Sequence, residues 1–486
     1  MPPPTAQPSP PDSLWSRLSK ADKIMAALIL LALTFFFRLA CCKYGFFNGE
    51  TNDLTVFAYA FSQTMKGHFM PVYFMPHAIL LGCHVNWIIL AWLPIYAVWQ
   101  SFYALLFYQS LMLTAAAWPF YLLAKQVLKN DRAAVVLGAV FLIFPTIASQ
   151  HVNQIHDDQF ALPFVMFAFY FFEREKFTAF LVSALLACMA KESITLTTAA
   201  FGVYALFLRR PWKWVLTPLL FSGVYLAVAI FLLQHVFAGM GAPVWEAGYH
   251  LGVYGKTYPE VLQTFLTRPG LVLQTAFAPD RVKYLEKLFL PTLYALPFFS
   301  FALIVSAPNL LLNLLVPNTA FTVMEWHYNI ILGATLLVAC VYGIRQLVRW
   351  QRQPQWDIAL GAAVAMALLA LAGTSFWYHA AEYEPQSQSA TLRRIVEMIP
   401  AEASVVCPDP LLAELSNHPR LLNPWTIFNA DKNPAELNEF DYVIVDGNWR
   451  NYSAIAQVPM VQMLRTSQVH RVVFTENNVA LLKRIN

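Results

Sequence analysis

Long apolar stretches alternate with short charged clusters along most of the chain. The first stretch, from Ile24 to Cys42, is long enough to cross a bilayer, which takes about 20 apolar residues in a helix. The same pattern predicts crossings at 102–124, 133–149, 160–172, 177–190, 194–208, 213–236, 289–317, 328–345 and 358–377. Taken as a tight pair of helices broken near Pro308, the stretch 289–317 brings the total to about 11 spans.

The basic clusters predict an orientation for these spans. Arg and Lys residues within 17–23 precede the first span, so the positive-inside rule predicts a cytoplasmic N-terminus. The basic clusters at 125–132, 209–213 and 345–352 then also face the cytoplasm, because each crossing reverses the side. This parity predicts that the C-terminus lies outside.

The pattern changes after the last apolar stretch. Strand-like runs such as Tyr442–Val445 alternate there with helical stretches such as Ser389–Met398, which indicates a small α/β unit. The predicted fold class is therefore an all-α polytopic membrane domain followed by a small outer α/β domain. The predicted organisation is a disordered cytoplasmic tail at 1–23, a membrane domain at 24–379 with outer loops at 43–101 and 237–288, and an extracytoplasmic domain at 380–486.

Composition supports a membrane class. Hydrophobic residues make up 58% of the 486 residues, charged residues only 12%, and the mean hydropathy is +0.50. Soluble domains carry about 25% charged residues. The net charge of +4 is spread over short clusters between apolar stretches, so it does not indicate a nucleic-acid partner.

Cysteine usage predicts no zinc cluster. The chain has six cysteines and no Cys-x-x-Cys pair. Only Cys83 and Cys407 fall in predicted outer regions, which leaves a bridge between these two open.

Ionisable residues converge on the predicted outer face. They are Glu50, Asp53, Lys66, His68, His77, His84, His151, His156, Asp157, Asp158, Lys191, Glu192, Glu325 and His327. Polar groups at span ends are costly unless paired, so this convergence exceeds what topology requires. Glu50 and Asp53 are the best candidates for chemistry, since carboxylates accept protons and bind metals. The alternative is that they are solvated loop charges.

Local structural roles remain open for two further groups. Lys191 and Glu192 are alternatively a structural ion pair. His156, Asp157 and Asp158 fit a helix N-terminus, with an Asp as the cap. A divalent metal site among Glu50, Asp53, His84 and His156 is also open, because His beside acids has ligand chemistry without a diagnostic spacing.

The outer loop 237–288 is predicted to cover the site. It has too little apolar pattern for a crossing, and Trp245, Tyr249, Tyr254 and Tyr258 offer rings for sugar stacking. The alternative is an interfacial loop with aromatic anchors.

The order of several short motifs resembles a family of prokaryotic multi-spanning membrane proteins, a domain of unknown function related to the GT-C glycosyltransferases. The motifs are Asp53-Leu54, His84 ahead of Leu93-Pro94-Ile95-Tyr96, Tyr121 to Lys125, Lys191-Glu192, His327-Tyr328, Ala403-Ser404-Val405 and Asp441 to Asp446. The resemblance covers most of the chain. The chain has His156-Asp157-Asp158-Gln159 where relatives tend to show Asp-x-His-Pro.

The resemblance implies inverting transfer of a sugar from a polyprenyl-phosphate carrier to a lipid, glycan or protein acceptor at the outer face of a prokaryotic plasma membrane. It implies a catalytic aspartate in the first outer loop, which by position is Asp53. Glu50 would orient the acceptor or bind a metal.

Seven further residues join the predicted substrate and phosphate site. The basic and hydrogen-bonding members suit a departing phosphate. The set is His84, Lys191, Glu192, His156, Asp157, His327 and Tyr328, of which His84 also serves as a candidate metal ligand. Two other classes stay open: a transporter or flippase, which commonly shows an inverted repeat, and a non-catalytic envelope assembly factor, for which Asp53 is replaceable.

Overall fold

The computed structural model describes residues 16, 18–75, 78–237, 250–351, 357–374, 380–424, 434–447 and 469–485. The first part of the chain is helical. Its helices are α1 Lys20–Gly45, α2 Asn52–Met65, α3 Leu93–Val98, α4 Phe102–Ala115, α5 Ala117–Leu128, α6 Asp131–Ile143, α7 Pro145–Ala148, α8 Asp157–Glu173, α9 Phe177–Cys188, α10 Ile194–Phe207 and α11 Trp212–Phe231. The second part continues with α12 Tyr258–Thr267, α13 Pro269–Ala276, α14 Pro279–Phe289, α15 Leu303–Leu315, α16 Ile330–Trp350 and α17 Ile358–Gly373.

Four helical segments within the described ranges are long and apolar enough to cross a membrane. They are Lys20–Gly45, Phe102–Leu128, Trp212–Val236 and His327–Trp350. A fifth segment, Asp131–Ile143 with Pro145–His151, is bent by 49°, because Pro145 lacks the N–H that would continue the helix. Five further apolar helices are shorter than 18 residues. The fold is thus a helical membrane protein, and the prediction of about 11 spans stays a prediction.

The predicted break near Pro308 is wrong. Helix α15 runs without interruption through Pro308, which removes only one helical N–H donor. The break lies earlier, where the one-turn helix Leu296–Phe299 ends before α15 begins. An apolar pattern alone does not distinguish the two positions.

Helix α1 is anchored at its start. The Ser19 side chain accepts from the backbone N–H of Asp22, and the Asp22 carboxylate accepts in return from the N–H of Ser19. Lys125 of α5 lies 2.8 Å from the same carboxylate. The end of α1 that carries the predicted cytoplasmic charges is therefore tied to the end of α5.

The predicted cover loop is helical where it is described, in α12, α13 and α14. Tyr254 is buried against Phe265 in an apolar cluster, so the expectation that it stacks on a sugar is wrong. Tyr258 is exposed. Trp245 and Tyr249 lie outside the described residues.

A five-stranded sheet forms the C-terminal region, together with α18 Ser389–Met398 and α19 Asp409–Leu412. The strands are β1 Val405–Val406, β2 Leu421–Leu422, β3 Tyr442–Asp446, β4 His470–Glu476 and β5 Val479–Arg484, in the order β2-β1-β3-β5-β4. Strands β1 to β3 are parallel, and β4 and β5 form an antiparallel hairpin. Asn477 and Asn478 both have positive φ in its two-residue turn, a conformation that asparagine tolerates.

The C-terminal region packs directly on α2. The rings of Phe47, Tyr59 and Tyr73 join one apolar cluster with residues of α18 and the sheet. Tyr59 donates a hydrogen bond to the carbonyl of Pro419 at 2.8 Å, and Gln63 donates to that of His418 at 3.0 Å. The two regions are therefore joined by both apolar and polar contacts.

The open bridge between Cys83 and Cys407 does not form, since both are free thiols. Burial raises the pKa of the Cys83 thiol to about 11, which makes it a poor nucleophile. Cys407 is buried behind strand β1.

We expect cysteine labelling to confirm the predicted orientation. Lys256→Cys, in the exposed turn before α12, should react with a membrane-impermeant maleimide in intact cells. Gln351→Cys, after α16, should react only after the membrane is permeabilised. The parent chain, with its six native cysteines, provides the background. Labelling of Gln351→Cys from outside would reverse the orientation.

Candidate active site

A cavity of about 270 Å³ lies where the α1–α2 loop meets the segment before α8 and the segment before α16. Its walls are mainly polar. The lining residues are Lys43, Tyr44, Asn48, Gly49, Glu50, Asp53, Gln150, Asn153, Gln154, His156, Glu325, Trp326, His327 and Glu382.

The loop that carries Glu50 and Asp53 is held closely against the end of α1. A Cβ at Gly49 would lie 2.8 Å from the Tyr44 ring and 3.1 Å from Lys43, so only glycine fits without a shift. Helix α2 then begins at Asn52, which places Asp53 in its first turn. A carboxylate is electrostatically favoured at that end of a helix. The backbone N–H of Asp53 donates to the Gln154 side chain, which fixes the turn.

Asp53 is the carboxylate with the environment of a general base. Its side chain is 40% exposed to the cavity, and His156 Nε2 lies 3.3 Å from Asp53 Oδ2. Desolvation by the surrounding walls raises the pKa of Asp53 to about 6. Desolvation, with the nearby Asp53 charge, also raises the pKa of Glu50. The Asp53 carboxylate can therefore take up a proton near neutral pH.

Two histidine rings stack beside Asp53. The His156 and His327 ring centroids are 3.5 Å apart, with the planes tilted by only 25°. Burial lowers the pKa of His156 to about 3, so its ring is neutral at pH 7 and carries one N–H. The stack orients that ring toward Asp53. The Tyr328 ring stacks on Phe321 and also contacts the His327 ring.

A second group of charges is buried next to the cavity. His84 Nδ1 lies 2.8 Å from the Glu192 carboxylate, which also accepts from the backbone N–H of Val85 at 2.8 Å. Lys191 Nζ lies 2.7 Å from Asp158 Oδ2. Burial lowers the pKa of His84, but the charge and hydrogen bond of Glu192 have a larger opposite effect, so the pKa of His84 is raised. We refer to His84, Asp157, Asp158, Lys191 and Glu192 as the buried ionic cluster.

The structure divides the predicted site residues between these two groups. Glu50, Asp53, His156 and His327 line one cavity. His84, Lys191, Glu192 and Asp157 belong to the buried ionic cluster, which adjoins the cavity because His156 and Asp157 are consecutive. Tyr328 sits at the edge of the histidine stack.

The expected local roles are partly wrong. Lys191 and Glu192 do not pair with each other; Lys191 pairs with Asp158 and Glu192 with His84. The segment from His156 does form a helix N-terminus, but the residue at the cap is His156 and not an Asp. Asp157 instead accepts a hydrogen bond from the Asn86 side chain.

Sequence reasoning missed several cavity residues. Lys43 at the end of α1 pairs with Glu382 at 2.7 Å, and both line the cavity. The Asn48 side chain donates to the carbonyls of Glu382 and Glu384 at 2.9 and 2.8 Å. The sequence offers one signal for Lys43, which is its position ten residues before Asp53, in the same predicted outer loop. Nothing in the sequence pairs it with a residue more than 300 positions away.

The four candidate metal ligands do not form one cluster in the described part of the chain. Within the described ranges, no three His, Cys, Asp or Glu side chains are arranged to hold one ion. Of the four candidate ligands, Asp53 and His156 contact each other and His84 is engaged by Glu192.

The comparisons agree with this architecture. The fold is similar to that of a crystal structure of ArnT from Cupriavidus metallidurans bound to undecaprenyl phosphate, with a TM-score of 0.54 and 12% identity over 95% of this chain and 98% of that one. The model of the family DUF2079, described as a predicted membrane protein, matches residues 46–478, and the chain belongs to that family. No curated protein sequence matches the chain.

We expect Glu192→Gln to destabilise the protein, because Glu192 is fully buried and accepts hydrogen bonds from two groups. An amide cannot accept through both ends, so about 1–3 kcal/mol of stability should be lost. Thermal unfolding in detergent measures the change. The matched control is Glu175→Gln, whose side chain is 76% exposed. Equal melting temperatures for both variants would show that the His84–Glu192 pair is not stabilising.

Proposed function

We propose that this protein transfers a sugar from a polyprenyl-phosphate carrier to a hydroxyl acceptor, with inversion, at the outer face of a prokaryotic plasma membrane. The observation that carries the proposal is the position of Asp53 on the wall of a polar cavity. The pKa of its carboxylate is about 6. The fold supports it, because the similar ArnT structure holds undecaprenyl phosphate and ArnT is a GT-C glycosyltransferase. A lipid, glycan or protein serves as acceptor.

In the proposed reaction Asp53 acts as the general base. The acceptor hydroxyl gives its proton to the Asp53 carboxylate as its oxygen attacks the anomeric carbon of the sugar. The bond between that carbon and the carrier phosphate breaks on the opposite side, and its electron pair leaves with the polyprenyl phosphate. One proton moves, one C–O bond forms and one breaks, so no oxidant or reductant is required.

The neighbours of Asp53 have supporting roles in this proposal. His156 is neutral, and its Nε2 lies within reach of the carboxylate, so it holds Asp53 in the orientation for proton transfer. Glu50 shares the cavity and orients the acceptor hydroxyl. His327 supports the His156 ring from behind.

The departing phosphate needs positive charge, and two sources adjoin the cavity. Lys43 lines the cavity itself, although it is paired with Glu382. In the buried ionic cluster the side chain of His84 is 26% exposed, and its raised pKa favours the imidazolium form. We assign phosphate binding to the part of the site near Lys43 and His84. Lys191, Glu192 and Asp157 stabilise the buried ionic cluster, and Tyr328 lies at its edge.

We expect Asp53→Asn to lose about 10²- to 10⁴-fold in sugar transfer, because an amide cannot accept the proton. The assay supplies a panel of synthetic polyprenyl-phosphate hexoses and pentoses, with membrane extract as the acceptor. It measures the free polyprenyl phosphate released, which is the same product for every acceptor. Melting temperature should stay near that of the parent.

Glu50→Gln is the matched variant, since it removes a second carboxylate of the same cavity and should cost less activity. Full activity in Asp53→Asn together with loss in Glu50→Gln or Asp157→Asn would move the base to another residue. Full activity in all three would favour the transporter or the assembly factor.

The pKa of Asp53 also predicts the acid limb of the activity profile. Only the ionised carboxylate accepts the proton, so kcat/KM should fall roughly tenfold per pH unit below about pH 6 and level off above it. The measurement is the initial rate of polyprenyl phosphate release between pH 4.5 and 8. In Asp53→Asn the residual rate should lose this limb. An unchanged limb in that variant would assign the titration to another group.

A further inference from the structure

Helix α2, which carries Asp53, has no N-terminal cap of its own. Thr51 occupies the cap position, yet its side chain makes no capping hydrogen bond to the first turn. The first N–H groups of a helix need acceptors, because no helical carbonyl precedes them. Gln154 accepts from the N–H of Asp53, so the residues before Asp53 still need an acceptor from elsewhere in the chain.

Asp409 of the C-terminal region supplies that cap. Its carboxylate accepts a hydrogen bond from the backbone N–H of Thr51, 358 positions earlier in the chain. The N–H of Asn52 also favours the ionised Asp409. The Thr51 hydroxyl donates to the Asp409 carbonyl, so Thr51 and Asp409 are joined by two bonds. These contacts fix the residues immediately before Asp53.

The surroundings of Asp409 are those of a restrained, buried group. Thr51 is 1% exposed, and Asp409 does not line the cavity. Burial, with the charges of Glu50 and Asp53, raises the pKa of Asp409 to about 7, against the lowering effect of Thr51 N–H. Its carboxylate thus acts through the backbone of α2 and does not reach a substrate.

We propose that Asp409 is a positioning residue for the catalytic loop: it caps α2 from the C-terminal region and so sets the direction of the Asp53 carboxylate. This inference rests on the proposed function of Asp53. Small displacements of a reacting group are costly in catalysis, since a shift of about 1 Å can lose 10²-fold in rate. The C-terminal region then contributes to the active site by positioning Asp53.

Two variants separate positioning from general stability. Asp409→Ala removes the acceptor for the Thr51 N–H, whereas Asp409→Asn keeps an oxygen in the same place. The matched control is Glu397→Gln, an exposed carboxylate on α18 of the same region. All are made in the full chain and purified in detergent.

Hydrogen–deuterium exchange gives the first measurement. In Asp409→Ala, amides in the peptide covering 46–60 should exchange roughly 2- to 10-fold faster, because the start of α2 frays without its cap. Asp409→Asn and Glu397→Gln should match the parent. Unchanged exchange at 46–60 in Asp409→Ala overturns the proposal. Equally fast exchange throughout 380–447 in both Asp409 variants also overturns it, as the residue is then a general structural one.

Kinetics give the second measurement. In Asp409→Ala, kcat should fall roughly 10- to 100-fold while KM for the carrier-linked sugar stays within about twofold, since the donor does not contact Asp409. Asp409→Asn should recover most of kcat. A raised KM at unchanged kcat overturns the proposal. If the parent releases no polyprenyl phosphate, the proposed function fails, and the exchange at 46–60 still decides whether Asp409 holds α2.

Discussion

The packing of the C-terminal region against α2 is the interaction on which the candidate site depends. Apolar rings of Phe47, Tyr59 and Tyr73 enter the same cluster as α18 and the sheet, and polar contacts at 417–419 hold the far end of α2. The loop that carries Glu50 lies between these contacts and the end of α1. Lys43 pairs with Glu382, and both line the cavity, so each region contributes to its walls.

Burial of charge is the second constraint. Each ionisable group taken from water loses solvation, so it must pair or shift its pKa. The buried ionic cluster follows the first course, with Lys191 against Asp158 and His84 against Glu192. Asp53 follows the second course, because its partner His156 is a neutral ring that cannot offset the carboxylate charge. Asp53 is thus left imperfectly compensated, and it is the group to which we assign proton transfer.

Sequence reasoning reached the helical membrane class and the small C-terminal sheet, because long apolar runs and strand-like alternation are local signals. It also found Asp53, His156 and His327, which stand in polar breaks between apolar runs. It mistook the partners of Lys191 and Glu192 and did not predict the contact of Asp409 with the start of α2. Those contacts join residues 33 to 358 positions apart, and no periodicity encodes such distances. The predicted break at Pro308 was wrong for a different reason. Helix α15 accommodates Pro308, because the proline removes only one helical N–H donor.

The separation of Thr51 from Asp409 has a consequence for biosynthesis. Ribosomes complete the α1–α2 loop early, whereas Asp409 is added 358 residues later. The N–H of Thr51 at the start of α2 therefore lacks this acceptor until nearly the whole chain has been made and the C-terminal region has folded against it. Closing so long a loop is slow compared with forming the helices around it. We therefore expect a nascent or truncated chain to hold Asp53 loosely, so that the loop of Asp53 is ordered last, after the membrane helices are in place.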